Sequence, residues 1–426
     1  SESLLRLGHT GVAREYFDWY APYQFEDGKV PCCVDARGAG PVPENDSPGE
    51  FIHLAAELFR FSADRAELER AWPRVEAAAR YLESLRREQR TRDAVDGQRP
   101  WSGLLPPSIS HEGYSDKPAY SYWDDFWGLI GYQDATWLAE VSRHSEARER
   151  LARQRDEFKR DLLASLRASV AAHHIPFLPG AADRGDFDPT STTIALEPGR
   201  EGSALPHDML LSTFERYWQE FVARRAGTRS WDVYTPYEMR IAGSFLRLGF
   251  PERAAELLSF FLEGRRPSAW NQWAEVVGRD ARQPRFLGDL PHAWIASGFI
   301  RALLDRFAYA REQDDTLVIA AGVPASWLDT QAVRVTGLRT RYGLLDYSVT
   351  RNADHIILEV SGTASPARFA IPWSSVPGFW ARGAAVAQAG KPRASIDGVP
   401  ARWDNDELAF FKLPARVVID RPQFSQ

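Results

Sequence analysis

Two stretches of the chain set carboxylic acids among tryptophans and amides. The first runs through His111-Glu112-Gly113-Tyr114-Ser115-Asp116 into Tyr122-Trp123-Asp124-Asp125-Phe126-Trp127. The second is Trp270-Asn271-Gln272-Trp273-Ala274-Glu275, followed by Gly288-Asp289-Leu290-Pro291-His292-Ala293-Trp294. Glycosidic bonds are cut by two carboxyls: one gives a proton to the leaving oxygen, and the other activates water or attacks carbon. Flat aromatic rings suit the C–H faces of sugars, although they also suit a large core. Glu112, or Asp116 in its place, is the candidate acid. Glu275, between two tryptophans and two amides that could hold a water, is the candidate base.

Around these, Trp123, Asp124, Trp270, Gln272, Trp273 and His292 are candidate substrate contacts. Burial among rings would raise the pKa of Asp124. A third stretch, Pro43-Glu44-Asn45-Asp46-Ser47-Pro48-Gly49-Glu50-Phe51, places Ser47 as a helix N-cap ahead of Pro48. That leaves Glu44 and Asp46 just outside the cap, free to bind sugar hydroxyls or simply to favour the helix dipole. Plainer roles compete elsewhere too. Trp123, Phe126 and Trp127 recur at core spacing, Asp289 fits an N-cap, and His292 fits a satisfied core histidine.

No cofactor or metal is expected. The run Asp183-Arg184-Gly185-Asp186-Phe187-Asp188 is too sparse for a calcium loop, and His173-His174 is a weak metal signal. Cys32 and Cys33 are neighbours, which rarely bridge each other, and two thiols cannot fill a structural zinc site. There is no glycine fingerprint, P-loop or nucleophile elbow.

Helical periodicity dominates residues 1–310. Helix–stop–helix units recur: residues 4–7 then 11–20 across Gly8, residues 51–61 then 65–87, residues 120–142 then 146–170, and residues 245–248 then 251–261 across Gly249. Helices also fit 208–225, 236–248 and 291–309. Gly8 and Gly249 suit the left-handed residue that ends a helix. Tight links at 8–11, 62–65, 142–146 and 249–251 alternate with long loops at 22–50, 92–119, 173–206 and 264–290, and loops of that length are usually functional. The pattern predicts an (α/α)6 barrel of six hairpins, its first helix lying upstream of Ser1. After 310, short apolar runs at 317–321, 333–335, 347–349, 355–360, 368–371 and 415–419 predict a small C-terminal antiparallel β-sandwich over 311–426 that supports the helices.

Composition agrees with a large folded chain. There are 426 residues, 44% hydrophobic and 26% charged, with 15 Trp, 14 Tyr and 23 Phe. A net charge of −6 argues against nucleic acid as a partner. No apolar run approaches the roughly 20 residues of a membrane span, so no membrane association is expected. The partner expected is a carbohydrate substrate.

With these segments in view, the chain resembles the six-hairpin glycosidases, the group of glucoamylase-like and α-L-rhamnosidase-like enzymes. The resemblance rests on Leu-x-Leu-Gly before a helix, Asp46-Ser47-Pro48-Gly49 with Phe51, Tyr122-Trp123-Asp124-Asp125-Phe126-Trp127, and Leu290-Pro291-His292-Ala293-Trp294. Residues 322–327 with 338–343 look like the β-sandwich of rhamnosidase-like proteins. The resemblance implies a glycoside hydrolase, with Glu112 in the place of the acid, Glu275 in that of the base, and Asp46 and Asp124 as sugar contacts. Rhamnosidase-like enzymes carry Trp-Glu-x-Trp where this chain has Trp270-Asn271-Gln272-Trp273, which leaves the base to Glu275. Inversion needs the two carboxyls roughly 6.5–9.5 Å apart, with room for water. On the same fold, a glycoside phosphorylase or a non-catalytic saccharide-binding protein is the alternative.

Overall fold

The computed structural model describes residues 1–110, 113–280, 282, 287–329, 331–376, 379–380 and 390–422, the side chain of Asp96 excepted. The chain divides into two compact units. Ser1–Leu5 with His9–Gln219 form the first, and Arg6–Gly8 with Glu220–Gln426 form the second.

The first unit is built of helical hairpins. Helices α1 (Glu2–Arg6) and α2 (Thr10–Tyr20) are followed by a loop carrying a two-stranded ribbon, β1 (Val34–Asp35) and β2 (Gly38–Ala39). Then come α3 (Ser47–Ser62), α4 (Arg65–Asp96), α5 (Tyr122–Val141), α6 (Ser145–His173), α7 (Pro189–Leu196) and α8 (His207–Arg225), whose residues from Glu220 on belong to the second unit. The tight link between α3 and α4 has a local cause. Ala63 takes a left-handed conformation that stops α3, and the Asp64 carboxylate accepts the Glu67 N–H at 3.1 Å to start α4. Helix α3 starts at Ser47, so Asp46 rather than Ser47 stands at the N-cap position, and its carboxylate makes no capping bond there. Helix α7 was not foreseen. The acidic run before it serves as its cap: Asp188 accepts from Thr190 N at 3.0 Å and from the Ser191 hydroxyl at 2.5 Å.

Helices α3 and α5 touch backbone to backbone. A β-carbon at residue 49 would stand 2.1 Å from the Trp127 carbonyl oxygen, and one at Gly131 would stand 3.0 Å from Gly49 Cα. Only glycine permits that approach.

The second unit continues the helices and adds two sheets. Strand β3 (Val233–Tyr234), a 3-10 turn at Pro236–Met239, α9 (Arg240–Arg247), α10 (Pro251–Glu263), β4 (Val277–Gly278) and α11 (Ala293–Asp305) lead into the β region. The helix expected over 291–309 is shorter, because Ala308–Arg311 is strand β5. The helix expected over 236–248 opens as the 3-10 turn.

The β region holds β5, β6 (Thr316–Ile319), β7 (Val333–Thr340), β8 (Gly343–Arg351), β9 (His355–Gly362), β10 (Arg368–Pro372), β11 (Ala394–Ile396), β12 (Val399–Ala401), β13 (Glu407–Phe410) and β14 (Ala415–Asp420). One sheet has the order β13-β10-β6-β5 and the other β12-β11-β14-β9-β8-β7. All pairings in them are antiparallel except β6 with β10. Alternate residues of both sheets, among them Leu317, Phe369, Leu408, Leu345, Leu358 and Val417, share one buried core, which makes the pair a sandwich. Among the described residues, no helix is long and apolar enough to cross a membrane.

Gly49→Ala tests the helix contact. The added methyl meets a backbone carbonyl that cannot turn away, so we expect a loss of about 3 kcal/mol, at the upper end for an overpacked core. Urea unfolding measures it, and an unchanged midpoint would mean that α3 and α5 do not meet at this glycine.

Candidate functional site

Of the acids singled out in the sequence, Asp46 and Asp124 meet in the first unit, and Glu275 and Asp289 meet in the second. In the first unit, the α3–α5 contact sets the two helix starts side by side. Trp123 on α5 donates its indole N–H to Asp46 Oδ2 at 2.8 Å, while Asp46 Oδ1 accepts from the Ser47 hydroxyl at 3.3 Å, so the carboxylate bridges the two helix starts instead of capping the α3 backbone. The neighbouring carboxyl, Asp124, is 1% exposed. It accepts from the Ser108 hydroxyl and from the Ser110 hydroxyl at 2.8 Å, and also from the Asn45 backbone N–H. Ser110 is in turn 2.9 Å from the Ser121 hydroxyl. Burial pushes the Asp124 carboxyl up to about 7, and the nearby charge of Asp46 adds to the shift. The next residue, Asp125, is also buried and raised well above the ordinary range. One of its oxygens accepts the Leu105 N–H at 2.9 Å, and the other has no partner among the described residues.

Trp123 is therefore a buried spacer whose only polar atom is committed to Asp46 Oδ2. Glu44 is half-buried and lies against Cys32. Both cysteines are free thiols, with their sulfurs 2.9 Å apart. Burial, with hydrogen bonding to Cys33, pushes the Cys32 thiol up. Glu112 lies outside the described residues. Asp116 is exposed and paired with Arg184 at 3.1 Å, which holds its carboxyl below the usual range and makes it a poor proton donor.

In the second unit, Glu275 is held by backbone on both sides. Strand β4 behind it pairs with β3, and Arg279 N–H reaches Asp232 O at 2.8 Å. In front, Glu275 N–H donates to Asp289 O at 3.0 Å, while Asp289 N–H donates to Glu275 Oε2 at 3.2 Å. Gly288, at φ +61°, leaves the space this carboxylate occupies, since a β-carbon there would lie 2.1 Å from Oε2. Asp289 is thus a clamp and not the expected helix cap, because α11 starts at Ala293.

Trp273 is buried, with its indole N–H on Phe261 O at 2.7 Å and its ring packed on Phe299. Trp270 is 61% exposed, and Gln272 is half-buried. The His292 Nε2 is 3.3 Å from the Tyr237 hydroxyl, and its other ring nitrogen is buried without a partner among the described residues. Burial lowers the His292 pKa against the opposing charges of Glu275 and Asp289, so the imidazole is neutral at pH 7. A clamped carboxylate, a neutral imidazole and a tyrosine hydroxyl can together orient a water or a sugar hydroxyl.

Sequence reasoning missed Ser108, Ser110 and Tyr237. Ser110 takes a left-handed conformation at φ +53°, and its N–H donates to the Ser108 hydroxyl at 2.7 Å, so a local turn brings both hydroxyls to Asp124; nothing in the sequence signalled that turn. Among the described residues, no group of three or more His, Cys, Asp or Glu could hold a metal ion.

No protein-family model matches the chain, and no curated protein matches it significantly. Solved structures do. The α-L-rhamnosidase from Dictyoglumus thermophilum aligns with 97% of this chain and 44% of its own, at 11% identity and a TM-score of 0.61. The GH78 family rhamnosidase of Bacillus sp. GL1 aligns with 82% of this chain and 34% of its own, at 11% identity and a TM-score of 0.51. The α-L-rhamnosidase from Aspergillus terreus covers 87% and 43%, at 9% identity and a TM-score of 0.50. The chain spans less than half the length of each. It has the fold of these proteins, helical hairpins of the (α/α)6 class followed by a C-terminal β-sandwich.

Asp124 carries a pH signature. Folding raises its pKa from the ordinary value near ~3.9 to about 7. Between those values unfolding releases the proton, so stability is full below about pH 4 and falls as pH rises toward 7, by about 4 kcal/mol from this group. In Asp124→Asn that slope should be missing from a series of urea midpoints across the window. A variant as pH-dependent as the wild type would show that Asp124 does not hold the proton.

Proposed function

We propose that the protein is a glycoside hydrolase that cleaves an oligo- or polysaccharide by inversion. The observation that carries this reading is the fold shared along 97% of the chain with a solved α-L-rhamnosidase. Fold alone does not fix chemistry, and the clamped Glu275 beside a neutral His292 supplies the local support. In this reading residues 1–310 are the catalytic part and 311–426 the supporting sandwich.

Glu112 protonates the glycosidic oxygen as the bond to the anomeric carbon breaks. Glu275 takes a proton from the water that attacks that carbon from the opposite face. The Asp289 N–H on Oε2 leaves Glu275 Oε1 to receive that proton. His292, neutral and tied to Tyr237, accepts or donates a hydrogen bond to a sugar hydroxyl without adding charge. Trp270 offers an exposed face for sugar stacking, with Gln272 beside it, while Trp273 supports the segment from within. Asp46 and Glu44 bind hydroxyls. Asp124, its pKa raised to about 7 by burial, steadies the backbone at Asn45 that presents them.

Glu275→Gln and Glu112→Gln should each lower kcat on the true glycoside by at least ~100-fold, the scale of a lost general acid or base, with unchanged unfolding midpoints. Steady-state kinetics on a cleaved glycan, with circular dichroism as the folding control, checks this. Near-normal turnover in either variant removes that residue from the mechanism.

A further inference from the structure

In the second unit, α10, α11 and the turn after β6 line an open cavity of about 910 Å³. This is within the size range of small-molecule sites. Its walls are chiefly apolar: Leu258, Phe260 and Leu262 from α10, Phe299 and Leu303 from α11, and Trp327. Into this lining comes one deeply buried cation. Arg306, the residue that follows α11, is only 8% exposed. Its Nε donates to Gly322 O at 3.0 Å, and its guanidinium carbon sits 4.9 Å from the centre of the Trp327 ring. Gly322 gives room to its stem, since a β-carbon there would stand 3.0 Å from Arg306 Cβ and Cγ.

Among the described residues, no carboxylate pairs with Arg306. Its pKa is lowered by burial, with no acid acting the other way. The other charges lining the cavity are on or beside α10: Glu252, Glu256 and Glu263, with Arg225 paired to Glu256. A guanidinium buried without a counter-ion is costly, and buried charges are ordinarily paired. The missing partner is an anion, and the surrounding rings and leucines ask that it carry an apolar body.

We propose that this cavity binds an organic monocarboxylate with an aliphatic or aromatic body. The carboxylate takes the two outer nitrogens of Arg306 in a fork, the geometry that guanidinium offers and ammonium does not. The body lies along Phe260, Phe299, Leu303 and Trp327. The site involves neither Glu112 nor Glu275, and it stands or falls apart from the glycosidase reading.

The test is calorimetric titration of the intact chain with octanoate, octanol, glucuronate and inorganic phosphate. Octanoate should bind one to one and at least ~10-fold tighter than octanol. Arg306→Met should weaken octanoate by about 10- to 100-fold, the worth of hydrogen bonds to a charged group. Leu262, 36% exposed on the cavity wall, gives a second variant that does not touch the cation. Leu262→Trp narrows the pocket on the side of the ligand's apolar body, and should weaken octanoate binding without lowering the unfolding midpoint, even where Arg306→Met fails to fold. The proposal is overturned if octanoate does not bind, if octanol binds equally well, if glucuronate or phosphate binds tighter than octanoate, or if Leu262→Trp leaves octanoate affinity unchanged.

Discussion

The geometry of the first unit depends on one backbone contact: the Trp127 carbonyl lies where a side chain at residue 49 would begin. Helices whose backbones approach this closely are fixed in both distance and register, since a shift of one residue would bring a β-carbon into the gap. The start of α3 is thereby held beside the start of α5. Asp46 meets the indole of Trp123, and the backbone at Asn45 meets Asp124. A carboxylate that would ordinarily cap its own helix is instead tied to the neighbouring one.

That arrangement divides the acids of the unit by charge state. Asp124 and Asp125 sit in the first turn of α5 without a cation in contact, and burial raises the pKa of both, that of Asp124 to about 7. Two turns further along the same helix, Asp134 is equally buried. It is held far below the ordinary range, because Arg60 and Arg200 outweigh its desolvation and the His53 ring nitrogen at 2.6 Å adds a further bond. One helix therefore carries carboxyls of raised pKa at its start and one of lowered pKa inside, and the difference lies in what α3 and the 197–201 turn present to each. Arg306 in the second unit is the converse case, a buried cation to which no acid among the described residues is paired.

Much of the fold was legible in the sequence because its signals are local. The helical period, the left-handed stops and the short links at 62–65 and 249–251 follow from neighbouring residues, and the strand runs after 316 are rich in β-branched side chains. What was not legible depends on contacts distant in sequence. Helix α7 is a buried run of Thr, Ser, Ile and Ala with no polar face, so it has no period to read. Ala308–Arg311 has helix-forming composition, yet it is a strand because β6 pairs with it. The N-cap at Asp46 was assigned one residue late, since Ser-Pro is the commoner signature. Of the candidate site, the Glu275 stretch was visible as an acid among tryptophans and amides. Its clamp was not, because only the fold shows that Gly288 makes room for the carboxylate. The pairing of Asp46 with Trp123 spans 77 positions and needed the helix contact to appear.

The proposed reaction is hydrolysis of a glycoside by direct attack of water. The most direct measurement is proton NMR of the first sugar released by the intact protein from a glycan library, in phosphate-free buffer. Inversion gives a free reducing sugar whose anomeric configuration is opposite to that of the bond cleaved. Retention of configuration, release that requires phosphate, or binding of glycans with no bond cleaved would contradict it.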